Sequence, residues 1–363
     1  MRPLTLRCPE CDARFGIDPQ DAGASRARCP QCGAVFSVRS GSTRRRRDDY
    51  PPRRSSPWKW VILVLVIFGV LGLGCCGGLI WLGYSTAQPT TFPEQTQDYA
   101  DARKSFKTKL VQKGPAPKAG LMGQRPPEAQ EVLYTSGDLK LKAWVNRLAN
   151  NSDLKPAVLF LHGGFAFGAD DWTQCQPFRD AGFVTMTPTL RGENGQNGTY
   201  TFFYDEVDDV IAAAESLARI PGVDPNRIYV AGHSAGGTLA MLAAMTSKRF
   251  KGCASFSGSP DQVNFAKQNS ELVPFNPSDR KELEMRSPLA FPKSFKCPAR
   301  LYWGKSEFAF RLSTLALAEK ATAAGLDVQA IEVPGDHFDS VPAAMSQAVT
   351  FFQQQKGPAA TPP

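Results

Sequence analysis

A doubly wound, mostly parallel α/β sheet is the fold that residues 128–356 predict, and three observations predict it. Short continuous apolar runs recur where buried parallel strands would lie, helical stretches fall between them, and the segment opens on an antiparallel hairpin. Glu131–Tyr134 and Leu139–Val145 alternate around Ser136-Gly137-Asp138, the pattern of two strands joined by a tight turn. Ala157–Leu161, Phe183–Thr187, Ile228–Ala231, Ala254–Phe256, Leu301–Trp303 and Val328–Val333 are the expected buried strands. Trp172–Ala181, Asp205–Arg219, Gly236–Thr246, Leu312–Ala324 and Val341–Gln354 are the expected helices that cross between them. Residues 257–294 show no clear strand and are expected to form a cap or loop. There Phe265, Phe275 and Phe291 serve either as an apolar wall or as ordinary core.

The remainder of the chain has a different texture. Of 363 residues, 42% are hydrophobic and 21% charged, which excludes a wholly disordered polymer. The net charge of +8 is lopsided: residues 1–59 carry 13 Lys/Arg against 6 Asp/Glu, residues 60–84 carry none, and everything after is near neutral. Bulk charge therefore does not make the C-terminal part a nucleic-acid binder, and nucleic acid is not an expected partner. Residues 39–57 read as a basic, solvated linker and residues 357–363 as a disordered tail. Trp60 to Tyr84 is an uncharged run of 25 residues, and about 20 apolar residues suffice to cross a bilayer as a helix. A transmembrane helix over 58–84 is the expectation, with Trp58, Trp60, Trp81 and Tyr84 in the headgroup zones. A signal sequence cleaved after Ser85-Thr86-Ala87 is the alternative, but the apolar run is long for one and a 57-residue lead precedes it. Arg44–Arg47, Arg53, Arg54 and Lys59 precede the span, so the N-terminus is expected in the cytoplasm and residues 85–363 outside. Gly74 and Gly78 form one GxxxG, through which two copies could associate weakly. Residues 85–127 read as a stalk with one short helix, Glu94–Val111.

Cys8-Pro-Glu-Cys11 and Cys29-Pro-Gln-Cys32 bracket the N-terminal module, residues 1–38. Two CxxC pairs at this spacing can set four thiolates around one tetrahedral ion, and so short a chain needs such a staple to fold. Cys8, Cys11, Cys29 and Cys32 are therefore the expected ligands of a structural Zn2+. Cytoplasmic placement argues against the alternative of two disulfides. With Phe15 after the first pair and Phe36 after the second, the segment resembles the short zinc ribbons at the N-termini of many bacterial proteins.

The chemistry-bearing motif is Gly232-His233-Ser234-Ala235-Gly236, between the apolar strand Ile228–Ala231 and the helix from Gly236. A G-x-S-x-G at a strand-to-helix turn holds the serine hydroxyl exposed above a helix N-terminus, so Ser234 is the candidate nucleophile. An oxyanion hole needs two amides; Ala235 supplies one, and Gly164 or Phe165 in the loop His162-Gly163-Gly164-Phe165 supplies the other. His162 is expected to be a structural residue of that loop. Of the three histidines, His233 sits inside the elbow and should point away from a reacting carbonyl. That leaves His337, in Pro334-Gly335-Asp336-His337-Phe338 after the last strand, as the base. The acid should fall between nucleophile and base; Glu307, in Gly304-Lys305-Ser306-Glu307, is favoured over Asp261.

Together these residues resemble the α/β-hydrolase superfamily, and more narrowly the catalytic domain of the prolyl oligopeptidase family and dienelactone-hydrolase-like esterases. The resemblance covers Leu139–Phe352 and rests on the HGG at 162–164, Arg191-Gly192-Glu193-Asn194-Gly195, Asp205–Asp209, GHSAGG, the acid at 307 and PGDHF. It departs in having Glu where the family usually has Asp, Ser where dienelactone hydrolases have Cys, and no β-propeller before the catalytic domain. It implies a serine hydrolase acting on a small ester or peptide through an acyl-enzyme, with no cofactor for catalysis, and the expected span makes it membrane-anchored. The competing reading is an inactive hydrolase-fold sensor or binding protein whose zinc ribbon grips a cytoplasmic partner.

Overall fold

The computed structural model of the chain describes residues 4–17, 26–37, 88–117, 122–146 and 153–355. Two compact units emerge, residues 1–71 and 72–363. In the first, β1 (Leu4–Arg7) pairs antiparallel with β2 (Arg14–Ile17), and β3 (Arg26–Arg28) with β4 (Val35–Ser37). Each hairpin turns on a cysteine knuckle of the same design. The Cys8 amide donates to Ala13 O and the Asp12 amide to Cys8 O; the Cys29 amide donates to Ala34 O and the Gly33 amide to Cys29 O. The fourth residue after the first cysteine of each pair, Asp12 or Gly33, is left-handed at φ 64° or 76°. Phe15 and Phe36 meet edge to face at 6.3 Å.

The expected transmembrane helix, basic linker and C-terminal tail lie outside the described residues. Among the described residues, no helix is long and apolar enough to cross a membrane.

The second unit holds an eight-stranded sheet. Its strands are β5 (Ala129–Ser136), β6 (Leu139–Asn146), β7 (Lys155–Leu161), β8 (Val184–Pro188), β9 (Val223–His233), β10 (Cys253–Phe256), β11 (Ala299–Gly304) and β12 (Val328–Val333). They lie in the order β12-β11-β10-β9-β7-β8-β6-β5, with the β5–β6 and β6–β8 pairs antiparallel and the other pairs parallel. The chain winds outward in both directions from β7, so the C-terminal ends of β7 and β9 flank the point where strand order reverses, the usual place for a ligand crevice in an open α/β sheet.

Period-two alternation sends neighbouring strand residues to opposite faces. Ala157, Leu159 and Leu161 of β7, with Ile228 and Val230 of β9, pack beneath α4 (Glu206–Leu217) and α5 (Ala235–Thr246). Val158 and Phe160, with Tyr229 and Ala231, face α3 (Gln176–Asp180) and α9 (Val341–Gln354). The expected helix Trp172–Ala181 is two short ones, α2 (Ala169–Gln174) and α3, because Pro177 in the first turn of α3 supplies no amide to continue the first. The elbow strand starts earlier than its apolar core suggests, since Val223 already pairs with Lys155 ahead of an irregularity in register.

Residues 88–117 differ most from expectation. They are a strap laid across the domain, not a free stalk, and only Tyr99–Ser105 (α1) is helical, capped by Asp98. Tyr99 is wholly buried, its hydroxyl donating to Met285 O at 2.8 Å, and Phe92, Ala102 and Ala116 are also in the core. Farther on, Thr108 Oγ1 and the Lys109 amide both donate to Glu282, which forms a fully buried ion pair with Arg286. Burying two charges is tolerable only where the remaining hydrogen-bonding positions are filled, and the strap fills two of them.

Candidate active site

Ser234 is the hinge between β9 and α5. Its backbone sits at φ 55°, ψ −117°, a conformation that L side chains rarely adopt and that costs on the order of 1–3 kcal/mol. The turn is tight enough to exclude side chains on both flanks. A Cβ on Gly232 would lie 2.3 Å from Gly236 O, and one on Gly236 would lie 2.2 Å from Leu161 O. The strain is held from below by α5, buried on every side, and from beside by the Ser234 amide, which donates to Phe256 O at 2.8 Å.

Parallel register delivers the other groups to the same sheet end. Leu161 pairs with Gly232, so the His162-Gly163-Gly164-Phe165 turn emerges beside the elbow, with Gly163 close to the Ser234 side chain. Gly304 pairs with Val333, so the loops carrying Glu307 and His337 also emerge together. His337 Nε2 lies 3.0 Å from Ser234 Oγ, and His337 Nδ1 donates to Glu307 Oε1 at 2.5 Å. Glu307 Oε2 accepts from the Gly304 amide at 2.6 Å and from Ser257 Oγ. Burial works to raise the Glu307 pKa, but the hydrogen bonds from His337, Ser257 and Gly304 prevail and hold it below the ordinary glutamate value.

Asp261 takes no part in this chain of contacts. Its Oδ1 caps α6 (Gln262–Gln268) by accepting from the Val263 and Asn264 amides, and its Oδ2 accepts from the Thr90 amide of the strap at 2.7 Å. Glu307, not Asp261, is the carboxylate beside the imidazole. Ala235 is the first residue of α5, where helix amides have no intrahelical acceptor. Gly164, at φ 66°, and Phe165 form the turn beyond β7. Phe165 packs against Tyr200 and Phe203, with ring centroids 5.2 and 5.9 Å away. Of the three phenylalanines expected either as an apolar wall or as ordinary core, Phe275 and Phe291 are core residues, while the partly buried Phe265 joins Phe202 and Phe203.

Two residues do more than their sequence positions suggested. Ser257, left-handed at φ 51°, turns its hydroxyl onto Glu307. His233 does point away from the hydroxyl, but its Nε2–H donates to the backbone carbonyl of His337 at 2.8 Å. Burial depresses its pKa to about 4 against the opposing pull of that carbonyl, so a neutral ring ties the His337 loop to the elbow. The only sequence signal for either was adjacency to a motif.

His162 anchors the second loop. Its Nδ1 donates to Gly163 O at 3.0 Å and its Nε2 to Glu193 Oε2 at 2.9 Å, and Glu193 also accepts from the Leu190 amide. Burial alone would lower the His162 pKa, but the Glu193 carboxylate and the Gly163 carbonyl override it and push it up to about 9.

Residues 158–358 match a family model described as the alpha/beta hydrolase family. Over 115 residues the chain is 30% identical to the uncharacterized peptidase YtmA of Bacillus subtilis (strain 168), covering 31% of this chain and 44% of YtmA. A solved Mycobacterium tuberculosis puromycin-hydrolyzing peptidase aligns with TM-score 0.55 and 21% identity over 62% of this chain and 40% of that one. An esterase of Pyrobaculum calidifontis aligns with TM-score 0.50 and 18% identity over 62% and 85%. At those identities the two structures show the fold alone. The chain spans less than half the length of the curated relatives it matches.

The His162–Glu193 pair carries a pH dependence. The folded value of about 9 lies above the unfolded value of about 6.5, so the stabilisation is complete below about 6.5 and is lost as pH rises through about 9. Urea unfolding of the parent should therefore show a fall in midpoint across that window. His162→Gln, which retains one donor toward Glu193 but no titrating proton, should start less stable and lack that step.

Proposed function

Because the chain belongs to the alpha/beta hydrolase family, we propose that it is a membrane-anchored serine hydrolase that cleaves ester or peptide bonds through an acyl-enzyme. The observation that carries the reading is the unbroken chain of contacts from Ser234 Oγ through His337 to Glu307, at 3.0 and 2.5 Å. His337 Nε2 takes the hydroxyl proton as Oγ bonds to the substrate carbonyl carbon, and the carbonyl π electrons move onto oxygen. The amides of Ala235 and of Gly164 or Phe165 hold that oxyanion. Collapse of the intermediate breaks the bond to the leaving alcohol or amine, which departs with the proton from His337. Water then gives its proton to His337, attacks the acyl carbon, and frees Ser234 by the same sequence. Glu307 keeps its charge throughout; it fixes the imidazole tautomer and stabilises the imidazolium.

Within the N-terminal unit, Cys8, Cys11, Cys29 and Cys32 suit a structural zinc ion. Their sulfur atoms all lie within 4.8 Å of one another, and the Cys8–Cys32 and Cys11–Cys29 separations are 3.7 and 3.6 Å. A tetrahedron with Zn–S bonds of about 2.3 Å has edges of roughly 3.8 Å, whereas a disulfide would need about 2.05 Å. Four protein ligands close the shell of such an ion, which would supply folding energy to residues 1–38. The uncharged run 60–84 and the arginines before it support the bilayer anchor, with the catalytic unit on the extracytoplasmic side.

Ser234→Ala and His337→Ala should each lower ester or amide hydrolysis by at least about 10⁴-fold, and Ser234→Ala should also abolish labelling by a fluorophosphonate. Glu307→Gln should cost about 10³–10⁴-fold, but Asp261→Asn less than about tenfold; the reverse ranking would make Asp261 the acid. Purified protein should carry one zinc per chain, and Cys8→Ser with Cys29→Ser should remove it without altering hydrolysis. Retention of the metal in that double variant would move its site elsewhere. In spheroplasts, added protease should remove an epitope placed after residue 355 and spare one placed before residue 57. The opposite pattern would invert the topology.

A further inference from the structure

The outer side of the base is aromatic. Phe338 directly follows His337, and its ring stands at 88° to the imidazole with centroids 5.1 Å apart, also 5.6 Å from the His233 ring. Phe310, in the first turn of α8 (Phe308–Ala323), lies against the imidazole at 5.8 Å. The imidazole thus has two phenylalanine rings against it. Phe338 is nevertheless 69% exposed, and Phe310 is only partly buried. Large apolar rings normally bury themselves or mark a binding surface, and these two adjoin the one group that must touch the substrate's leaving atom.

Reach decides what they contact. To receive its proton, the leaving oxygen or nitrogen must come within about 3 Å of His337 Nε2. Rings with centroids 5.1 and 5.8 Å from the imidazole centre are close enough for the next few atoms attached to that oxygen or nitrogen to meet them. The acyl half is bonded to Ser234 and extends from the other side of the scissile bond. We propose that Phe310 and Phe338 form the leaving-group subsite, and that this enzyme favours esters or amides whose expelled alcohol or amine carries a bulky apolar group of about the size of a phenyl ring. The proposal rests on the serine-hydrolase reading above. A ring seated there covers exposed apolar surface, gains edge-to-face contacts and keeps water from the imidazole while the proton is in transit.

The test compares the methyl and benzyl esters of one short acyl group, whose alcohols are of similar acidity. In an acyl-enzyme mechanism kcat/KM reports the steps through acylation, in which the alcohol is still attached. The parent should prefer the benzyl ester by about tenfold or more, within the range that apolar pockets reach. Phe338→Ala and Phe310→Ala should each shrink that preference about three- to tenfold, and Phe338→Leu should retain most of it. The ratio is the readout because both rings also steady His337, and misplacing the base slows both esters alike. Equal slowing of both esters in both alanine variants would make the rings positioning residues only and would overturn the subsite. So would a parent ratio near one. Labelling of Ser234 by a fluorophosphonate runs alongside. A labelled parent with an unchanged ratio defeats only this inference, whereas a parent that neither labels nor hydrolyses either ester defeats the hydrolase reading and this inference with it.

Discussion

The site depends on one strained residue held in place by everything around it. A serine at φ 55° and ψ −117° would relax if its neighbours allowed it. They do not, because Gly232 and Gly236 bring the backbones of β9, α5 and β7 into contact with no room for a Cβ. The in-register pairing of β7 with β9 fixes the glycine loop beside the hydroxyl, and the pairing of β11 with β12 fixes Glu307 and His337 opposite it. Two pairs of strand ends thus settle positions that no loop could hold with comparable accuracy.

How legible this was in the sequence depended on the range of the forces involved. The strand-elbow-helix around Ser234 was readable because a buried strand, two obligatory glycines and an all-apolar helix are local signals. His337 was readable by elimination among three histidines. Glu307 rather than Asp261 lies beside the imidazole for reasons that are not local: the Ser257 hydroxyl that donates to Glu307 Oε2, and the Thr90 amide that occupies Asp261. His233 looked idle because its partner is a backbone carbonyl 104 positions away.

The strap was the largest misreading, and its cause is physical. Residues 88–117 are poor in apolar residues, which is what a solvated segment looks like. Their attachment relies on a few deeply seated groups, Phe92, Tyr99 and Ala116, and on polar contacts to a buried Glu282–Arg286 pair. Composition averages over such a segment and misses anchors that are sparse but fully buried. The helix expected over Glu94–Val111 shrank to Tyr99–Ser105 for a related reason: beyond Ser105 the backbone bonds outward, Leu110 bridging to Phe275 and the Val111 amide donating to Pro274 O.

Ser257 is the first residue after β10, at the root of the segment that runs to β11, and it is also the residue whose hydroxyl donates to Glu307. That segment is therefore not a free attachment. An exchange of it between related chains would leave the Ser234–His337–Glu307 contacts intact only if the junction were cut beyond Ser257. A chimera joined one residue earlier would inherit a foreign group against Glu307. Replacement of the segment has a natural seam in this architecture, and that seam lies inside the segment rather than at the strand end.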